Sequence, residues 1–320
     1  MSQENLLTIR EDINRRKLIN QIFAIVGLVV ILVAIFILLG LIIYMVKSGI
    51  SRISPEFFTS FPSRRAEKAG IMSAWVGTSL VMLVTALAAV PIGVASGIYL
   101  EEYSRKNLLA DFIEINVTNL AGVPSIVYGL LALGLFVYEL NLGRSILSAG
   151  LTLALLILPV VIVTTREALR AIPNHLREAA YALGASKWQM IWDHVLPYSF
   201  GSILTGVIIG LSRAIGETAP VVTIGALVFI RFLPDSPLNS AFPYIPFQGE
   251  FPYLNLQQLF AWVQAEFTVM PIQMFTWVSR PERAFEANAA AAGTVLIAMT
   301  LAMNGIAIYL RYRFRKGLKW

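Results

Sequence analysis

Two stretches of this chain run without a single charged residue for longer than a bilayer is thick: Leu18–Val46 and Ile71–Leu100. A helix crosses the hydrocarbon core in about 20 predominantly apolar residues, so each run is long enough to span it. Inside lipid each backbone N–H and C=O must find its partner within the protein, and a helix does this within its own segment. The runs therefore predict an all-α, polytopic membrane helical bundle. Composition agrees: 57% of residues are hydrophobic and 14% charged, against about 25% charged in an ordinary soluble domain. The 320 residues suffice for several spans but leave no room for an additional soluble catalytic domain.

The first run is far longer than the ~7–15-residue apolar core of a cleaved leader, and Tyr44-Met45-Val46-Lys47 is not a small-residue cleavage site. It reads as a retained span with the N-terminus inside. Residues 1–70 then form a tail, a first span and an external loop (47–70). Further spans are expected over about 71–100, 112–138, 145–165, 200–230 and 286–310, six in all. Pro91 and Gly93 are kink points in the second. Gly122, Pro124 and Ser125 make a helix breaker at membrane depth in the third. Asp111, Glu114 and Glu286 read as interfacial. Loop 231–283 is external. Within it Leu254–Val278 is expected to hold a helix or re-entrant segment, with Trp262, Phe267, Phe275 and Trp277 at the membrane interface. The segment 311–320 is a basic tail.

Six spans put both termini and the connector 174–197 on one side. Fifteen Lys and Arg lie on that side and nine on the other, which favours that side as the cytoplasmic one although loop 47–70 carries five. The net charge of +6 is thus flanking charge around spans, not a nucleic-acid surface. With no cysteine and only His175 and His194, the chain has no disulfide, no thiolate nucleophile and no cysteine or histidine metal centre. No GxxxxGK[ST], H-E-x-x-H or G-x-S-x-G pattern occurs, so no catalytic residue, metal site or bound cofactor is expected. Any energy source must lie in a partner.

The connector is the longest polar stretch that still looks folded. Asn174 is a candidate N-cap after Pro173, and Gly184 a left-handed C-cap. Leu176, Ala179, Ala180 and Leu183 recur at spacings of three and four, giving one small apolar face. A short exposed helix of this kind is poised to dock into another protein. The plainer alternative is a connector that packs on its own bundle.

In the fifth span, Arg213 and Glu217 stand four apart, so on a helix they share a face. A lone charge at the bilayer centre costs about 2.5–3.5 kcal/mol on insertion scales, so the pair should face a water-filled cavity or the bundle interior. Gly216 and Pro220 would loosen the helix beside it. The planar guanidinium suits bidentate binding of a tetrahedral oxyanion. Glu217 could hold Arg213 when no anion is present, and Thr218 could add a hydroxyl donor. A structural ion pair is the alternative. The break at Gly122–Ser125 could aim N–H groups at an anion or be a packing kink.

Glu178-Ala179-Ala180, Gly184 and Leu196-Pro197 together resemble the EAA loop of ABC-importer permeases, with His194 where that loop usually has Ile. Further stretches look like phosphate-importer permeases of the PstA family: Gly97–Tyr103, Asn119–Gly129, Arg166–Arg170, Arg213–Pro220 and Val269–Gln273. The resemblance runs from about residue 71 to the C-terminus. It implies a type I, MetI-like permease domain over 71–310 in a bacterial inner membrane. The implied partners are a PstC-like second permease subunit, PstB-like ATPase subunits that use ATP-Mg, and a PstS-like external phosphate-binding protein. Glu178, Ala179, Ala180, Leu183, Gly184, Leu196 and Pro197 would form the ATPase-coupling loop. Arg213 and Glu217 would match the charged pair on the phosphate path. Other readings stay open: the PstC-type subunit, a permease for molybdate or sulfate, and a passive anion channel or secondary transporter, which would need no docking helix.

Overall fold

The computed structural model describes residues 3–104, 108–226, 229–234 and 261–316. Residues 105–107, parts of the expected fifth span (227–228), loop 231–283 (235–260) and basic tail (317–320), and the side chain of Asp111, lie outside them. All regular structure among the described residues is helical. Among the described residues five helices are long and apolar enough to cross a membrane, at Arg15–Arg52, Met72–Tyr103, Ile146–Arg170, Lys187–Ile215 and Ala284–Arg313. Among the same residues a sixth span would be a broken one, in which Phe112–Leu120 and Ser125–Glu139 meet at 103°.

In chain order, α1 is Gln3–Gly49, α2 Pro55–Thr59, α3 Met72–Ile98, α4 Leu108–Leu120, α5 Ser125–Ala132 and α6 Ile146–Arg170. Then come α7 Asn174–Ala182, α8 Lys187–Gln189, α9 Leu196–Ile215, α10 Ala219–Ile224, α11 Met270–Val278 and α12 Ala284–Lys316. π-helical turns extend α3 over Tyr99–Tyr103 and α5 over Leu133–Glu139, and join α8 to α9 over Met190–Val195. The last widening sits just ahead of Pro197, whose ring would clash with the carbonyl of the preceding turn in a regular helix.

The bundle is built around α6, which packs on α3 and α9. Lipid is as apolar as leucine, so helices associate here by close packing and small residues set the approach. Gly93 and Gly97 of α3 lie against Val161 and Thr165, and Gly206 of α9 lies against Thr164. At Gly97 and Gly206 a Cβ would overlap the facing threonine. Thr85 adds a cross-helix hydrogen bond, donating to the Gly150 carbonyl at 3.2 Å. Val81, Leu153, Ile157, Ala214 and Val221 fill the centre.

α1 behaves differently. Its apolar window is wholly exposed within the chain. It meets α12 near its C-terminal end, where Met45 lies against Gly293 and Gly49 against the backbone of Ala290 and Ala291.

Two expectations need correction, the end of the fifth span and the place of three aromatics, and two other regions gain detail. The fifth crossing helix spans Lys187–Ile215, not about 200–230, because Gly216-Glu217-Thr218 leaves the helical ladder before Pro220 restarts it as α10. Arg213 therefore sits in the last turn of that helix and not at its middle. Loop 47–70 is folded: Phe57, Ala69 and Ile71 pack with Trp277 and Phe285. Arg52 ties it down, donating to Asn288 Oδ1 at 2.6 Å and to the Ala66 carbonyl at 2.7 Å. Trp262, Phe267 and Trp277 are buried in the protein core, and only Phe275 of the four aromatics is exposed. An aromatic ring suits a core as well as an interface, and here the bundle claims three. Glu114 has arginine partners on α6.

Candidate functional site

The connector helix α7 begins one residue earlier than the capping pattern indicates. Pro173, with extended backbone (φ −60°, ψ 141°), is the N-cap, and Asn174 is already helical. The Asn174 Oδ1 accepts from Arg177 Nη1 at 3.4 Å. The other end is as read: Gly184 has φ +83°. Ala185 N–H donates to the Ala180 carbonyl at 3.1 Å and Gly184 N–H to that of Tyr181 at 2.9 Å, the paired bonds of a Schellman motif.

The apolar face of α7 divides between two destinations. Ala180 is buried with Leu169, Met190, Ile191 and Val195, and Leu176 is half-buried. Glu178, Ala179 and Gly184 are exposed, and Leu183 is 88% exposed. One side of the helix thus holds to the bundle while the other has no cover. Leu196 and Pro197 sit half-buried at the start of α9.

Arg213 and Glu217 do pair, across the end of α9 instead of along a helix. The single contact, Nε to Oε1, is 3.4 Å, long beside the ~2.7–2.9 Å of a tight charge-assisted bond. The Arg213 side chain is 42% exposed and that of Glu217 19%. Among the described residues the guanidinium has no other hydrogen-bond or ion-pair partner. Glu217 also lines a small pocket with Thr78, Met82, Leu153 and Val269. Thr218 lies in the break between α9 and α10 and makes no side-chain cap there.

The breaker Gly122-Val123-Pro124-Ser125 is brought near this pair. Pro124 is the N-cap of α5 and Ser125 its first residue. Tyr128 spans the break by donating to the Leu120 carbonyl at 2.7 Å. One turn on, Gly129 packs on Pro220 and Thr223 of α10 so closely that any side chain would overlap them. Tyr128 is buried in the same cluster as Ala214 and Ile215, the residues that follow Arg213. Two interrupted helices thus face each other beside the Arg–Glu pair. Sequence reasoning missed Tyr128, and it missed Asn304 of α12, whose Oδ1 accepts from Ser212 at 2.6 Å. A polar residue in each apolar span was the available signal.

A second charged assembly gathers where the C-terminal ends of α3 and α6 meet α4 and α7. Arg166, with a side chain only 9% exposed, reaches Glu114 through Nη2 at 2.7 Å. Its Nε is 3.5 Å from Glu101, close enough for ion pairing but not aligned for a hydrogen bond. Arg170 grips both Glu101 oxygens through Nε at 3.0 and 2.8 Å. Arg177 of α7 holds Glu102 at 2.8 Å. The stretches carrying these residues stood out in the sequence, but their pairing did not.

Residues 89–319 match the family model for the binding-protein-dependent transport system inner membrane component. A probable ABC transporter permease protein, YqgI of Bacillus subtilis, is 34% identical over 63% of this chain and 72% of its own length. The phosphate transport system permease protein PstA of Yersinia pestis is 37% identical over 63% of this chain and 68% of its own. PstA of Pasteurella multocida is 30% identical over 84% and 96% respectively. The fold is similar to a chain of the MetNI methionine ABC transporter in an inward-facing conformation. That match has a TM-score of 0.55 at 14% identity and covers 74% of this chain and 93% of that one. An all-helical membrane bundle with five apolar helices and a broken sixth, matched over most of its length, belongs to the inner-membrane components of binding-protein-dependent transport systems.

Proposed function

We propose that this chain is one permease subunit of an ATP-driven importer of inorganic phosphate, with Arg213 and Glu217 on its pathway. The observation that carries the reading is the long, single contact between these two groups. A tight pair would be a structural lock. A guanidinium held by one 3.4 Å bond keeps most of its fork for a tetrahedral anion, and an oxyanion can replace the carboxylate with two parallel bonds. Glu217 then repels the anion it has yielded to, so the site binds briefly, as a pathway requires. Thr218 and the break at Gly122, Pro124 and Ser125 are candidates for further contacts, and the PstA relatives support phosphate as the anion.

The open side of α7 supports ATPase docking. Glu178, Ala179, Leu183 and Gly184 would enter a groove on a cytoplasmic ATPase subunit that uses ATP-Mg, with Ala180, Leu196 and Pro197 holding the loop to the bundle. A second permease subunit completes the pore, and an external phosphate-binding protein delivers to it. This orientation, with both termini inside, follows the excess of Lys and Arg on the α7 side.

The test is ATP-driven phosphate uptake by the assembled complex in vesicles. Arg213→Gln should assemble and hydrolyse ATP but lose roughly 10–100-fold in uptake, the worth of one or two hydrogen bonds to a charged group. Gly184→Asp should lose stimulated ATP hydrolysis. Normal uptake by Arg213→Gln would make the pair structural. Normal coupling in Gly184→Asp would end the docking reading.

A further inference from the structure

The helix α7 is held to the bundle by apolar burial centred on Ala180 and by the guanidinium of Arg177. These are unequal restraints. A methyl group can slide over an apolar surface at small cost. Arg177 cannot. It donates to Glu102 Oε1 from Nη2 at 2.8 Å and from Nε at 3.2 Å, to the Leu169 carbonyl at 2.9 Å and to the Ile172 carbonyl at 2.7 Å. The two side chains are 15% and 7% exposed. Stretching this contact would leave two nearly buried charges unpaired, which a protein resists strongly. One planar fork therefore fastens α7 to the ends of both α6 and α3.

The neighbouring groups continue the connection. Glu101, next to Glu102, is gripped by Arg170 and approached by Arg166. The same two arginines reach Glu114 on α4, at 2.7 and 3.6 Å. α4 runs into the 103° break, and beyond it α5 meets α10 at Gly129, beside Arg213 and Glu217. Every joint in this sequence is a charge pair or a close backbone approach.

We propose that Arg177 and Glu102 form the strut that passes a displacement of α7 to α3, with Arg166 and Arg170 handing it on to the broken span. This rests on the docking reading of α7. Both are positioning residues and touch neither phosphate nor ATP. Their loss should show in the phosphate moved per ATP hydrolysed, a ratio that a merely structural contact would leave alone.

In the complete complex in proteoliposomes, phosphate uptake and ATP hydrolysis are measured together. Glu102→Ala, which leaves Arg177 its two carbonyls, is expected to keep at least half the ATP turnover while phosphate per ATP falls about tenfold. The chain has no cysteine, so Glu102→Cys with Arg177→Cys gives a second, reversible readout. The unlinked pair should be uncoupled, and a short bis-methanethiosulfonate linker should restore the ratio. Gly184→Asp runs alongside as the check on docking. If it collapses ATP turnover as expected while Glu102→Ala moves phosphate at the wild-type ratio, the strut is refuted and docking stands. Failure of the linker to restore coupling refutes it too. If neither Glu102 variant assembles, the pair is a folding contact and the inference is overturned. If Gly184→Asp leaves ATP turnover unchanged, docking itself fails.

Discussion

Arg166 and Arg213 are both arginines of an apolar bundle, and the protein treats them oppositely. Arg166 is nearly buried, reaches two carboxylates, and lies in a lattice that joins α3, α4 and α6. Arg213 is half-exposed, has one carboxylate at 3.4 Å, and stands where a helix stops. An arginine whose donors are committed fixes the helices around it. One whose donors are mostly idle is placed for something that comes and goes. The difference lies in the partners each neighbourhood supplies and not in the residue type.

Substitution should separate the two roles cleanly. The largest effect is expected for Arg166→Ala, which takes from Glu114 its 2.7 Å partner and leaves Arg170 alone between Glu101 and Glu114. Breaking a buried pair typically costs about 3–5 kcal/mol; Glu114 is 39% exposed, so solvent screening puts the loss here below that range. Thermal unfolding of the detergent-solubilised complex should drop accordingly, whereas Arg213→Gln should leave its melting point unchanged. An equal drop in both would erase the contrast. Next comes Glu217→Gln, which removes the competitor for Arg213 without removing the hydrogen-bonding shape. Phosphate retention in equilibrium binding to the complex should rise about tenfold, worth ~1.4 kcal/mol, while turnover slows. Weaker retention would mean that Glu217 positions Arg213 instead of competing for it. The smallest change is expected for Arg170→Gln. Its side chain is 52% exposed, and ion pairs open to solvent contribute about 0–1 kcal/mol. A melting shift as large as that of Arg166→Ala would show that the lattice acts as one unit.

How far the sequence made this legible depends on range. The spans were readable because length and apolarity are local and bilayer thickness is fixed. The Schellman end at Gly184 was readable because one residue type tolerates φ +83°. The break at Gly122–Pro124 had its own punctuation. The end of α9 was misjudged because an apolar run resumes at Ala219, while the backbone interruption at Gly216-Glu217-Thr218 decides where the helix stops. The Arg166 lattice was not legible at all. Glu101, Glu114 and Arg166 belong to three helices, and no periodicity relates them. Arg52 finds Asn288 across 236 residues, a pairing that only the packed bundle defines. The three buried aromatics were misplaced for a similar reason, since composition cannot tell a lipid neighbour from a protein one.

The isolation of α1 has a consequence for how the protein is made. Its contacts near Met45, Gly49 and Arg52 are with α12, some 236 residues later in the chain. At about 5–20 residues per second of synthesis, the helix waits roughly 10–50 seconds in the bilayer before its neighbour exists. A segment that must wait so long needs to be at rest with lipid on all sides. The charge-free surface of Leu18–Val46, apolar throughout beyond Asn20 and Gln21 apart from Tyr44, meets that need without a companion.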